Sequence, residues 1–269
     1  MSFSIDGKTA IVTGAANGVG LAIGRHFLSK GANVIFADMD EERLEAELGD
    51  GKAETESYRT FACDLRKKLS INNLLSMTID NFEKVDILVN ASRQIVPSDP
   101  LDPKEDNVET MLNQNLMTSL RLTQAISKRM IKQASGDEED TGNVGSIINL
   151  SSIAARRANP DLLGYSIATA ALDQMTRSMA VALAPHRIRV NAVAFGSVMS
   201  SSLKHQLRDN EEYRSDIIDN TPLGRIAGPG EVSDAVQYLA SDASSFVTGQ
   251  VITVDGGRTL IDPATAPAH

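Results

Sequence analysis

The sequence predicts an α/β fold in which a parallel sheet is wound on both faces by helices. Three observations carry that reading. Short apolar stretches alternate with helix-length amphipathic segments from Thr9 nearly to the end of the chain. A glycine-rich turn joins the first stretch to the first helical segment, and an acid closes the second stretch about twenty residues on. The stretch Val85 to Asn90 is almost uninterrupted in its apolar character, as expected of a strand covered on both faces.

Thr9 to Thr13 form the first strand, and Thr13-Gly14-Ala15-Ala16-Asn17-Gly18-Val19-Gly20 the turn that follows. Its three glycines let the backbone bend sharply, approach a pyrophosphate closely and open a helix whose unpaired amides face negative charge. Val19, Ala22, Ile23 and Phe27 then recur on one helical face, and Gly31 supplies a left-handed stop. Asn33 to Asp38 reads as the second strand. Its terminal Asp38 stands where a carboxylate accepts hydrogen bonds from both hydroxyls of an adenosine ribose and repels a 2'-phosphate, so NAD is expected rather than NADP. Five more strands are expected near residues 58–63, 86–90, 146–150, 188–194 and 250–254, giving seven with right-handed crossovers. Helices are expected over 107–133 and 165–184, a lid over about 197–220, and a solvated acidic insertion at 134–143. The segment 262–269, with two prolines and three alanines, reads as a tail.

Composition narrows the function. With 26 basic and 35 acidic residues the formal charge is −9, which opposes a nucleic-acid partner. No run of about eighteen apolar residues and no basic-then-apolar start is present, so neither a membrane span nor a secretory signal is expected, and the protein reads as cytoplasmic. The strands and helices alternate without a linker, which predicts one domain over residues 1–269. The single Cys63 reads as a small core residue. His26, His186, His205 and His269 show no metal-site spacing, so no metal is expected.

Chemistry is expected at the carboxyl ends of the strands. Ser152 follows the fifth strand and Tyr165 opens the helix after it, a hydroxyl and a phenol able to bind and protonate a carbonyl oxygen. With the motifs Thr13-Gly14-x-x-x-Gly18-x-Gly20, Cys63-Asp64-Leu65, Asn90-Ala91, Asn115-Leu116, Ser151-Ser152, Tyr165, Arg189-Val190-Asn191-Ala192-Val193, Thr221-Pro222-Leu223-Gly224-Arg225 and Val254-Asp255-Gly256-Gly257 in this order, the chain resembles the short-chain dehydrogenase/reductase family in its single-domain form. The resemblance implies a Rossmann-type sheet of strand order 3-2-1-4-5-6-7. It implies a dinucleotide held by Gly14, Asn17, Gly18, Val19 and Gly20, by Asp38 and Leu65, by Asp64 on the adenine amino group, and by Asn90, Ala91 and Ser92. Thr169, Gly196, Val198 and Ser200 would complete that set. It further implies Tyr165 as acid/base, Ser152 as orienter of the substrate oxygen, Asn115 as support for a water-linked proton path, and a homotetramer or homodimer acting on an alcohol or ketone.

The departures from the family pattern cluster at the reactive end. Four residues after Tyr165 the family has a lysine that binds the nicotinamide ribose and assists the phenol; this chain has Thr169. A cation about 5 Å from a phenolate is worth about 3 kcal/mol at an effective dielectric near 20. Ser92 replaces a glycine, Phe195 a proline before Gly196, Ser200 a threonine, and Arg93 an apolar residue. A guanidinium at Arg93 could partly replace the missing lysine, against the plainer reading of an arginine turned to solvent. Arg156 and Arg157 in the loop 154–164 could likewise meet an acidic substrate or be merely solvated. Two functions fit. One is an NAD-dependent oxidoreductase with an altered pocket; the other is a dinucleotide-binding scaffold with little or no catalysis. Restoring lysine at 169 should raise oxidation at neutral pH if the first holds.

Overall fold

The computed structural model describes residues 2–49, 57–135, 142–210 and 212–262. Most of the acidic insertion, the tail beyond Asp262 and His269 lie outside the described residues. Seven strands, β1 (Thr9–Thr13), β2 (Asn33–Asp38), β3 (Tyr58–Ala62), β4 (Ile87–Asn90), β5 (Gly145–Ser152), β6 (Ile188–Phe195) and β7 (Val251–Val254), form one sheet. Every pairing is parallel and the order is β3-β2-β1-β4-β5-β6-β7, as expected for a Rossmann-type fold. The order reverses between β1 and β4, and ligands of such sheets bind beyond the strand ends at that point.

The helices are α1 (Gly18–Ser29), α2 (Glu41–Leu48), α3 (Lys68–Phe82), α4 (Val108–Met111), α5 (Thr118–Ala134), α6 (Leu163–Leu183), α7 (Ser201–Asp209), α8 (Glu212–Asp219) and α9 (Pro229–Ala240). Alternate strand residues feed two cores, one on each face of the sheet. Val12 and Phe36 pack with Ile23, Phe27, Val236 and Leu239 of α1 and α9, while Ile11 and Ile35 pack with Leu74, Ile126 and Met130 of α3 and α5. A Cβ on Gly24 would run into the Phe36 ring, so glycine there lets α1 lie close on β2.

Polar ties fix the far half of the sheet. The Asn191 side chain donates to the Val247 carbonyl (2.8 Å) and accepts from the Gln250 amide (3.0 Å), which sets β7 beside β6. Buried Arg189 donates to the carbonyls of Leu239 and Ser241 and to the Ser244 hydroxyl, holding the end of α9. These bonds explain two of the polar residues of the 189–193 motif without any ligand.

Several boundaries differ from expectation, and those at β5, β6, α6 and the helix before β5 matter for the site. Strands β5 and β6 run further than predicted and pair through to Ser152 opposite Phe195. Helix α6 begins at Leu163, so Tyr165 lies within its first turn. The helix expected over 107–133 is divided by a π turn at Leu112–Met117. There the Thr118 hydroxyl donates to the Asn113 carbonyl and the Ser119 hydroxyl to that of Asn115, satisfying carbonyls that the wider turn loosens. Apolar periodicity does not reveal such a turn, because its neighbours keep the same face.

Candidate active site

The crevice over the switch point is built mostly from backbone. Thr13 Oγ1 accepts hydrogen bonds from the amides of Ala91 and Ser92, both at 3.0 Å, and so clips the end of β1 to the end of β4. Gly14 has φ +62°, and a Cβ there would lie 2.7 Å from the Ala91 carbonyl oxygen and the Ser92 Cα. A Cβ on Gly20 would run into the Gly14 carbonyl. Asn17, extended, precedes α1 and makes no side-chain cap, and the first turn of α1 holds no acid. Its first amides are therefore open to an anion. Gly18 has φ +56°, and its nearest neighbour across the crevice is the Ser200 Cβ, 3.7 Å from where a Cβ would stand. Val19 is buried beneath the turn, and buried Val198 bridges to Ala227 on the opposite wall. These features fit a dinucleotide with its pyrophosphate on the amides of α1.

At the adenosine edge, Asp38 is pre-ordered. One oxygen accepts from the Ala16 amide (2.9 Å), the other from the amides of Met39 (2.7 Å) and Asp40 (3.2 Å). Burial first, then the charges of Asp38 and Asp64, push the Cys63 thiol up to about 12, so it is inert. Asp64, expected on the adenine amino group, stands at this edge with both its oxygens on the Arg66 guanidinium, at 2.8 and 2.9 Å. That guanidinium holds its carboxyl below the usual range. Leu65 turns its side chain into the core under α3.

The reactive end is built from side chains. The register of β5 and β6 places Ser152 beside Phe195, and Tyr165 descends from α6 into the same cavity of about 490 Å³. Ser152 Oγ accepts from the Ala154 amide (3.1 Å), which leaves its proton free for a ligand. Arg93 Nη1 donates to the Tyr165 hydroxyl at 3.0 Å. The same guanidinium lies over the Phe195 ring, 4.2 Å from its centre. Two departures from the family pattern thus meet at the phenol, the arginine and the aromatic surface it rests on.

The Thr169 hydroxyl donates within α6 to the carbonyls of Tyr165 (2.9 Å) and Ser166 (3.1 Å), and it brings no charge to the phenol. Asn115 is tied to the neighbouring loop. Its amide donates to the Gln94 carbonyl and accepts from the Gln94 amide, both at 2.8 Å, which positions the loop carrying Arg93. Asn90 is drawn into the sheet, donating to Asn149 (2.8 Å) and Thr123 (3.2 Å), while Ala91 and Gly196 border the crevice.

Sequence reasoning missed Arg258, which reaches the cavity from beyond β7 and donates to Ser197 Oγ at 3.1 Å. The signal was the pair before it: Gly256 and Gly257 have φ +64° and +89° and turn the chain back toward the crevice. It also missed Asp173, two turns beyond Tyr165 and almost fully buried, whose carboxyl pKa burial raises against the opposing pull of Ser151, Arg156 and Arg177. Arg157 lines the cavity, whereas Arg156 turns to Thr253 on its far side.

A family model described as enoyl-(acyl carrier protein) reductase matches residues 14–259. An uncharacterized oxidoreductase of Mycobacterium tuberculosis is 35% identical over 258 residues, 96% of this chain and 94% of its own length. A 3-oxoacyl-[acyl-carrier-protein] reductase of Thermotoga maritima is 32% identical over 95% of this chain and 99% of its own. The solved structure of a 7α-hydroxysteroid dehydrogenase complexed with NADH and 7-oxo glycochenodeoxycholic acid matches with a TM-score of 0.85 at 29% identity, over 95% of this chain and 96% of that one. The family model, the sheet order and the relatives place this chain in the short-chain dehydrogenase/reductase family of oxidoreductases.

Proposed function

We propose that the protein is an NAD-dependent oxidoreductase that moves a hydride between a secondary alcohol or ketone and nicotinamide, with Tyr165 as acid/base. The observation that carries the proposal is the Arg93 guanidinium on the Tyr165 hydroxyl in the cavity that Ser152 lines. NAD, when bound, supplies the carbon that takes or gives the hydride. Ser152 donates its proton to the substrate oxygen. In oxidation the deprotonated Tyr165 takes the substrate hydroxyl proton as the C–H bond breaks; in reduction the phenol returns it to the carbonyl oxygen.

Arg93 supplies the cation that Thr169 does not. A unit charge at about 4 Å acts with about 4 kcal/mol at an effective dielectric near 20, and with less where solvent reaches the guanidinium. Phe195 holds that guanidinium by its ring face, a contact worth about 1 kcal/mol. Asn115 fixes the neighbouring Gln94 and acts as a positioning residue.

NAD is the preferred cofactor in this reading. Asp38, ordered by the amides of Ala16, Met39 and Asp40, sets a carboxylate at the end of β2 where it would repel a 2'-phosphate. Titration with NADH and NADPH tests the preference, and tighter NADPH binding would overturn it. The reading also has one catalytic unit in the cytoplasm, as a homotetramer or homodimer. Val181 on α6 is 76% exposed, and Phe246 fully so, which supports a second copy covering this side. Among the described residues no helix is long and apolar enough to cross a membrane.

One observation favours a scaffold instead: position 169, one helical turn from Tyr165, carries a neutral threonine and no cation. The two readings part on NADH oxidation across a panel of ketones. Turnover supports the enzyme. Stoichiometric NADH binding with no turnover on any member supports the scaffold.

A further inference from the structure

We infer that the substrate carries an oxyanion, a carboxylate or a phosphate, held by Arg157 and Arg258, which line the cavity that Tyr165 enters; the inference rests on the oxidoreductase reading above. The cavity is lined by three arginines, Arg93, Arg157 and Arg258, and by no Asp or Glu. That is the reverse of the chain as a whole, whose formal charge is −9. Like charges gathered around one cavity repel each other, and an anion placed among them removes that cost.

The partners of these arginines are neutral. Arg157 donates to the Thr259 carbonyl, Arg258 to the Ser197 hydroxyl, and Arg93 to the phenol. Among the described residues none of the three forms an ion pair, whereas the surface arginines Arg25, Arg66 and Arg225 each pair with a carboxylate. The nearest acid of the adjoining turn, Asp255, is occupied by that turn's own amides, accepting from Gly257 (2.9 Å) and Thr259 (2.8 Å). It fixes the backbone from which Arg258 projects, and among the described residues no carboxylate pairs with that guanidinium.

The arrangement divides the work. Arg93 is committed to the phenol at the reacting end. Arg157 and Arg258 come from two different loops and are joined through Thr259, the residue after Arg258. Their planar forks match carboxylate and phosphate oxygens. Ile95, Ile153 and Leu162 supply apolar lining. A short chain with an anion at one end and a carbinol or carbonyl at the other matches this pattern, and about 490 Å³ is room for such a ligand.

The test uses the NAD⁺-loaded protein, in which a ketone cannot be reduced, and measures binding by calorimetry for two matched pairs. These are levulinate against methyl levulinate, and dihydroxyacetone phosphate against dihydroxyacetone. At least one anion should bind about tenfold or more tightly than its neutral partner, and which one does separates carboxylate from phosphate. Arg157→Gln and Arg258→Gln should each reduce that preference about fivefold or more without changing binding of the neutral member, and Arg157→Lys should retain part of it. Equal binding within both pairs, no binding of either anion, or a preference that survives the double glutamine variant overturns the inference. Adding NADH in place of NAD⁺ tests hydride transfer separately. Anion preference without turnover would overturn the oxidoreductase reading alone, and turnover without anion preference this inference alone.

Discussion

At the adenosine end of the crevice, the fit to a dinucleotide is made by backbone. Gly14 and Gly20 pack where no side chain fits, the first amides of α1 are open, and Asp38 is held by the Ala16 amide. At the reactive end the same crevice is made by side chains from separate elements: Tyr165 from α6, Ser152 and Phe195 from neighbouring strands, and Arg93 from the loop after β4. A backbone surface has no substitute for glycine, whereas a charge can be delivered from any element that reaches the same point. Of the noted departures from the family pattern, Arg93, Thr169 and Phe195 fall on the second kind of surface or beside it, whereas Ser92 and Ser200 face the glycine turn at Gly14 and Gly18.

The sharpest way to separate the two ends is Tyr165→Phe. It should lower turnover by about a thousandfold, within the range for loss of a general acid/base, while NADH affinity measured by fluorescence stays within about twofold. A variant that loses NADH binding would show that the ends are not independent. Arg93→Ala should follow with a loss of about tenfold to a hundredfold in kcat, a rise of oxidation displaced to higher pH, and adenosine-side affinity unchanged. Arg93→Lys should recover part of the rate. Thr169→Lys, expected from the sequence to raise oxidation at neutral pH, should instead do little alone, since Arg93 already occupies the phenol, yet should restore turnover in the Arg93→Ala background.

On the adenosine side, Asp38→Ala should shift the ratio of NADH to NADPH affinity by about tenfold toward NADPH, as read from paired titrations. An unchanged ratio would move the discrimination to another residue. The smallest effect concerns Asp173. Burial raises its folded pKa above the unfolded value, so its contribution to stability is present at acid pH and is lost as pH rises through the folded pKa. Asp173→Asn should therefore melt higher than the parent at pH 8, with the gap closing toward pH 4. A gap that widens in acid would show that the lowering pull of Ser151, Arg156 and Arg177, not burial, governs this carboxyl.

The adenosine end was readable from residues 9–38 because spacing alone dictates it: a strand, glycines at fixed offsets, a helical face and a terminal acid. The reactive end was readable only as a set of departures. Sequence places Arg93 after a strand but does not say which way the loop turns; that depends on Asn115 holding Gln94, and on the π turn that presents Asn115. Arg258 was hidden for the same reason, since the direction of a chain after two left-handed glycines is a property of the turn. Asp64 illustrates the converse. Its motif was recognised, but its partner Arg66 is two residues on, and the pairing is a local bond that no long-range pattern records.

The central claim is that the cation at the phenol comes from the loop after β4. A crystal structure of the NAD⁺ complex tests it without a known substrate. The account predicts the Arg93 guanidinium within hydrogen-bond distance of the Tyr165 hydroxyl, resting on Phe195 while the cofactor is bound. An Arg93 turned to solvent, with no cation beside Tyr165, would contradict it.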